Sequence, residues 1–166
     1  MTFREQLVEM DACAEAVEWV GEKTMAEAWA TCERADWMLW LVGKIDGSYT
    51  PRLRLAACAC ARTSLKYVPA GEDRPRLAIE CAERYARGEA TKDELAAAGD
   101  AAWDAGAAAR AAGDAARAAA RAAAGDAVAA AGAAGGAAGD AARAAALKEM
   151  ADIVRQIIPE VSNAKP

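Results

Sequence analysis

From Ala96 to Ala146 the chain has no Ser or Thr and is built almost entirely from Ala, Gly, Asp and Arg. The string AAGDAARAAA stands at 111–120 and again at 137–146, and glycines fall at heptad spacing at 99, 106 and 113, then at 125, 132 and 139. Ala loses no side-chain entropy in a helix, so this composition points to helix and excludes an all-β protein. From Lys92 to Ile158 a single helix would run about 100 Å at 1.5 Å per residue. A chain of 166 residues and 17.2 kDa is far smaller as a globule, so the tract is expected to fold back. The expected fold is an all-α, compact multi-helix bundle with an Ala/Gly-rich C-terminal helical hairpin. Its reversal is expected between Gly113 and Gly139, with Gly125-Asp126 and Gly135-Gly136 as turn candidates. Heptad-spaced glycines on one face would let helix backbones approach closely, so they read either as packing seams or as low-complexity drift in an Ala/Gly-rich sequence.

Outside the tract the helical punctuation is frequent. Phe3, Leu7, Met10, Ala14 and Val17 recur at helical spacing up to Gly21, as one helix or a pair of short ones. Thr24-Met-Ala-Glu27 is a capping box, in which the Thr hydroxyl takes an orphan N–H while the Glu reaches back. It opens a second helix predicted over 25–42, with Gly43 as its stop. Thr50-Pro51 pairs an N-cap with a proline at the first helical position, predicting a third helix over 52–66. Pro75 opens a fourth over 76–87, with Leu77, Ala78, Cys81 and Tyr85 inward and i,i+4 ion pairs Arg76–Glu80, Glu80–Arg84 and Glu83–Arg87 outward. Thr91-Lys-Asp-Glu94 is another capping box. Leu147, Met150, Ala151, Val154, Ile157 and Ile158 stripe a last helix predicted over 142–158, which Pro159 ends. A single helical domain over 1–166 is expected, with mixed-composition helices at 1–90, Ala-rich helices at 91–159 and a loose tail at 160–166.

Composition removes several chemistries. The chain has no His, so Ser–His–Asp and Cys–His catalysis and His-ligated metals are excluded. A net charge of −5 without a basic tail argues against nucleic acid as a partner. No apolar run is long enough to span a membrane and residues 1–20 carry five acids, which leads to the expectation of a cytoplasmic protein with no membrane partner. Five cysteines, each among helical apolar residues, read as reduced and buried thiols. Cys58-Ala-Cys60 is half a metal site by spacing, but alternate helix residues diverge, so no metal and no cofactor are expected. Charge is distributed unevenly: ten acids against four bases in residues 1–50, and five against eight in 51–90.

Most of the candidate binding residues lie in these two segments. Projected on a 25–42 helix, Asp36 falls in the middle of the Met25, Trp29, Cys32, Leu39, Trp40 stripe. Arg62 is likewise central among Leu55, Cys58 and Leu65, so the two charges are expected to meet as a buried interhelical pair. Trp37 lies off that stripe, and Trp19 sits opposite the Leu7/Val17 stripe; both are candidate partner contacts, as is Trp103. Arg54, Arg62, Arg74 and Arg76 near Trp and Tyr could supply forks for a phosphate. The Ala/Gly helix faces also offer a surface for self-association.

Three segments carry a resemblance: Ala-Trp-Ala-Thr-Cys-Glu-Arg-Ala-Asp-Trp-Met-Leu-Trp-Leu (28–41), Arg-Leu-Ala-Ala-Cys-Ala-Cys-Ala-Arg (54–62) and Tyr-Val-Pro-Ala-Gly-Glu-Asp-Arg-Pro-Arg-Leu-Ala-Ile-Glu (67–80). With a variable Ala-rich tract and the closing Ala-Asp-Ile-Val-Arg-Gln-Ile-Ile-Pro (151–159), they resemble a family of immunity proteins of bacteria and bacteriophages. Where this chain has Gly and Asp in the tract, such proteins often have Tyr or His. The resemblance implies a non-enzymatic binding protein that neutralises a protein toxin by direct contact. The alternative expectation is a bacteriophage counter-defence protein that sequesters a small anionic, nucleotide-type signal.

Overall fold

The structure, a computed structural model, describes residues 1–45, 50–104, 106 and 127–161, without the side chains of 67 and 127–141. Every regular element among them is helical. The helices are α1 (Phe3–Glu9), α2 (Ala14–Val20), α3 (Met25–Thr31), α4 (Ala35–Ile45), α5 (Pro51–Arg62), a 3₁₀ turn at Leu65–Tyr67, α6 (Arg74–Ala86), α7 (92–104) and α8 (Ala127–Ile157). They divide into two compact units, Met1–Cys60 with Ala146–Pro166, and Ala61–Ala145.

In the first unit the signals read from sequence set several boundaries. Thr2 and Thr24 form capping boxes with Glu5 and Glu27, each hydroxyl accepting from the N3 amide while the carboxylate accepts the cap N–H. The N-terminal stripe forms the pair of short helices, separated by Asp11 at φ +61°, and Gly21 ends α2 at φ +53°. Thr50 caps α5, its hydroxyl accepting from the Leu53 amide at 3.3 Å. One core joins Phe3 and Leu7 of α1, Val20 of α2, Trp29 of α3, Met38 and Val42 of α4, Ala56 of α5 and Ala151, Val154 and Ile158 at the end of the chain. The last three are fully buried, as the stripe on the closing helix predicted.

The predicted 25–42 helix is in fact two. α3 ends at Thr31, Cys32 turns extended at ψ 124°, and α4 starts at Ala35. The cause lies far along the chain. Arg155 of α8 donates through Nη1 to the Trp29 carbonyl at 3.1 Å and the Cys32 carbonyl at 2.8 Å, and its Nη2 is held by Asp152 at 2.6 Å. A cation thus occupies the negative end of α3 and satisfies carbonyls released by the break. The Trp29 indole N–H answers by donating to the Ile158 carbonyl at 3.2 Å. Gly43 does not stop the helix, which continues to Ile45; a Cβ there would meet Leu53 Cδ2 at 3.4 Å, an ordinary contact with a flexible side chain.

In the second unit Pro75 stands in the first turn of α6, and Gly88 follows its end at φ +78°. Thr91 and Glu94 form the expected capping box of α7. Arg76 pairs with Glu80 at 2.8 Å, as spacing predicted. Glu83 instead pairs with Arg62 at 2.7 Å, while Arg87 turns to Glu89 at 3.0 Å, because a cation on another helix offers Glu83 two guanidinium nitrogens, Nε and Nη2. Cys81 is buried but Leu77 is half exposed: the stripe rule assumes cover along the whole helix, and here it holds only deeper in. Similarly, α5 stops at Arg62 and continues only as the 3₁₀ turn, short of the predicted 66.

The tract corrects two expectations. α8 runs unbroken through Gly135-Gly136, so no turn lies there. Gly99 is exposed and a Cβ on it would meet nothing within 4 Å, so it is not part of a packing seam. Gly113 and the Gly125-Asp126 turn candidate lie outside the described residues, as does the 160–166 tail beyond Val161. No helix among the described residues is long and apolar enough to cross a membrane.

The cap on α3 makes a direct prediction. Arg155→Met keeps the length of the side chain but leaves the Trp29 and Cys32 carbonyls without their donor. Hydrogen bonds from a charged group contribute about 1.5–3 kcal/mol, so the urea midpoint should fall by the equivalent of about 2 kcal/mol with an unchanged slope. A loss below about 0.5 kcal/mol would show that α3 ends for another reason.

Candidate functional site

The short helices α1 to α4 surround a cavity of about 460 Å³ in the first unit. Its apolar lining comes from Phe3 and Leu7, from Trp19 and Val20, and from Trp29, Trp37, Met38, Trp40 and Leu41; its polar groups are Asp11, Glu15, Arg34 and Asp36. A concave, aromatic, largely apolar space of this size with a few convergent charges has the character of a binding pocket.

The break between α3 and α4 builds the polar edge. Arg34 stands in the break and places its guanidinium over the Trp37 ring, 4.3 Å from the ring centre. The same guanidinium grips Asp36 through two bonds of 3.0 and 2.8 Å and reaches Glu15 of α2 at 3.2 Å. Asp36 lies in the first turn of α4, where the helix dipole favours a carboxylate. Its hydrogen bonds to Arg34 hold its pKa below the usual carboxylate value, and the same contacts raise that of Arg34. Trp19 and Trp37 meet with ring centres 6.0 Å apart and planes tilted by 58°, and Lys23 stands 4.6 Å from the Trp19 ring centre. Both rings are partly exposed, whereas Trp29 is buried.

Of the residues chosen from sequence, Trp19, Trp37 and Asp36 therefore share one cavity. Asp36 and Arg62, expected as a buried pair, are each held by a partner within their own unit. Asp36 binds Arg34, two residues before it, and Arg62 binds Glu83; the Asp36 and Arg62 side chains are 46% and 42% exposed, and no charged residue among those described is buried. The projection failed because it assumed a continuous helix through 32–34. Arg54 lies on α5, away from the cavity lining. Arg74 pairs with Glu72, whose pKa those contacts lower to about 2, and Arg76 pairs with Asp73 and Glu80. The cysteine expectation needs one correction: Cys32, Cys58, Cys60 and Cys81 are buried, but Cys13, at the N-cap of α2 and on the cavity wall, is exposed. Burial pushes the Cys32 and Cys60 thiols up in pKa, which keeps them protonated. Trp103 is 70% exposed on α7. Arg34 and Asp11 were missed from sequence; the Glu-Arg-Ala-Asp string at 33–36 was the available signal, hidden inside a helix assumed to be intact.

A chain compared with protein-family models, curated proteins and solved structures finds no match here, so the site is read from its chemistry.

The Arg34–Asp36 grip has a pH signature. Because the folded pKa of Asp36 lies below its unfolded value of about 3.9, the pair stabilises the fold above that pH. The contribution is lost as pH falls through the folded value. Asp36→Asn should therefore melt about 2–4 °C below the parent at pH 7 and by less at an acid pH below the unfolded value of about 3.9. An equal gap at both pH values would mean that the carboxylate charge is not what Arg34 holds.

Proposed function

We propose that this chain is a non-catalytic binding protein that neutralises a basic protein toxin by direct contact, with the tryptophan-lined cavity of its first unit at the centre of the contact. The observation that carries the reading is the joining of Trp19 and Trp37 to an acidic edge at a single concave surface. Partly exposed Trp beside a pocket is the residue type that most often anchors a protein partner. The ten acids against four bases in residues 1–50 would draw a cationic partner to this face and set its orientation. The resemblance to immunity proteins points the same way.

Sequestration of an anionic nucleotide-type signal is the competing reading. It needs arginines free to fork a phosphate, yet Arg62, Arg74 and Arg76 are engaged by Glu83, by Glu72 and by Asp73 with Glu80. The cavity itself holds one guanidinium among three carboxylates.

Co-expression with toxin domains drawn from the chain's own genomic neighbourhood tests the reading. The expected result is restored growth and a stoichiometric complex, both lost in Trp37→Ala and Glu15→Lys variants that keep the parent circular dichroism. Protection that survives both variants would move the contact elsewhere. Release of a phosphorylated small molecule on heating the purified protein, with no toxin rescued, would overturn the reading in favour of sequestration.

A further inference from the structure

The cavity combines two properties that select one kind of occupant. Its floor is apolar and closed by Phe3, Leu7, Trp29 and Met38, all buried side chains. Among the charged lining residues Asp11, Glu15 and Asp36 stand against Arg34, a formal charge of −2, which Lys23 beside the Trp19 ring offsets only in part. An anion would meet that excess and be repelled, and a neutral apolar group would leave it unused. An apolar body bearing one positive charge would satisfy both. The fold already shows that these rings accept cations, since Arg34 lies 4.3 Å from the Trp37 centre and Lys23 lies 4.6 Å from that of Trp19.

We infer that the cavity binds an apolar cation, presented in the complex as a Lys or Arg side chain of the partner whose aliphatic stem enters the tryptophan-lined space while its charge rests on Asp11 and Glu15. This rests on the contact surface proposed above and names what that surface takes. Asp11 and Glu15 are the groups to which the incoming charge is assigned. Asp36 is fully engaged, both of its oxygens accepting from Arg34, whereas Glu15 contributes one oxygen to that network and is 71% exposed. Asp11 sits in the turn between α1 and α2 at φ +61°, which Asn also tolerates, so its charge can be removed without straining the turn.

Tryptophan fluorescence of the whole purified chain tests the inference with three single-ring probes: benzyltrimethylammonium, benzyl alcohol and benzenesulfonate. The expected result is saturable quenching by the ammonium about tenfold tighter than by the alcohol, with no saturable response to the sulfonate. The double variant Asp11→Asn/Glu15→Gln should lose most of the ammonium preference while its affinity for benzyl alcohol stays unchanged, which also reports an intact cavity. Equal affinity for ammonium and alcohol, tighter binding of the sulfonate, or a preference that survives the double variant would each overturn the inference. Cation preference without toxin protection would retain the inference and end the toxin reading. Protection without cation preference would do the reverse.

Discussion

Arg155 and Trp29 hold each other across the chain, and the cavity depends on that exchange. The guanidinium of Arg155 caps the carbonyls at the end of α3, and the indole of Trp29 donates to the carbonyl of Ile158 just beyond the end of α8. Together they tie a seven-residue helix, too short to be stable alone, to the closing helix. Cys60 adds a weaker tie, its thiol donating to the Met150 carbonyl at 3.7 Å, and Lys148 of α8 binds Glu33 in the break. α3 therefore ends where the C-terminal helix makes ending favourable.

That ending positions the polar edge of the cavity. A helix running unbroken from Met25 would place Asp36 deep in an apolar stripe, where a carboxylate without a partner costs several kcal/mol. With the break in place, Asp36 moves to a new N-terminus and Arg34 becomes free to span Asp36, Glu15 and the face of Trp37. The same rearrangement explains why the first unit has many short helices and yet a continuous core. Each helix leaves few residues to bury, but Phe3, Leu7, Trp29, Met38 and Val42 meet Val154 and Ile158 in one cluster.

Local chemistry marked the helix starts well. The Thr24, Thr50 and Thr91 caps lie where their hydroxyls and following residues placed them, and the stripe through Ala151, Val154 and Ile158 is fully buried. What escaped was non-local. An apolar stripe can be projected through 28–42 as if it were one helix despite the Glu-Arg-Ala-Asp string at 33–36, and the capping arginine stands more than 120 residues away in sequence. The candidate site was legible in its aromatic half, through Trp19 and Trp37. Its ionic half was misassigned, because a charge projected into an apolar stripe looks buried until its helix is known to start at Ala35, one residue before it. In the tract, heptad spacing suggested seams, but regular spacing alone says nothing about what lies opposite, and Gly99 faces open space.

The interlock can be read directly by hydrogen exchange at the indole N–H groups of the five tryptophans. The account predicts that the Trp29 indole, buried and bonded to the Ile158 carbonyl, exchanges only with global unfolding, while the partly exposed Trp19 and Trp37 indoles exchange orders of magnitude faster. A Trp29 indole that exchanged as fast as theirs would show that α3 and the closing helix are not locked together, and the cavity would need another foundation.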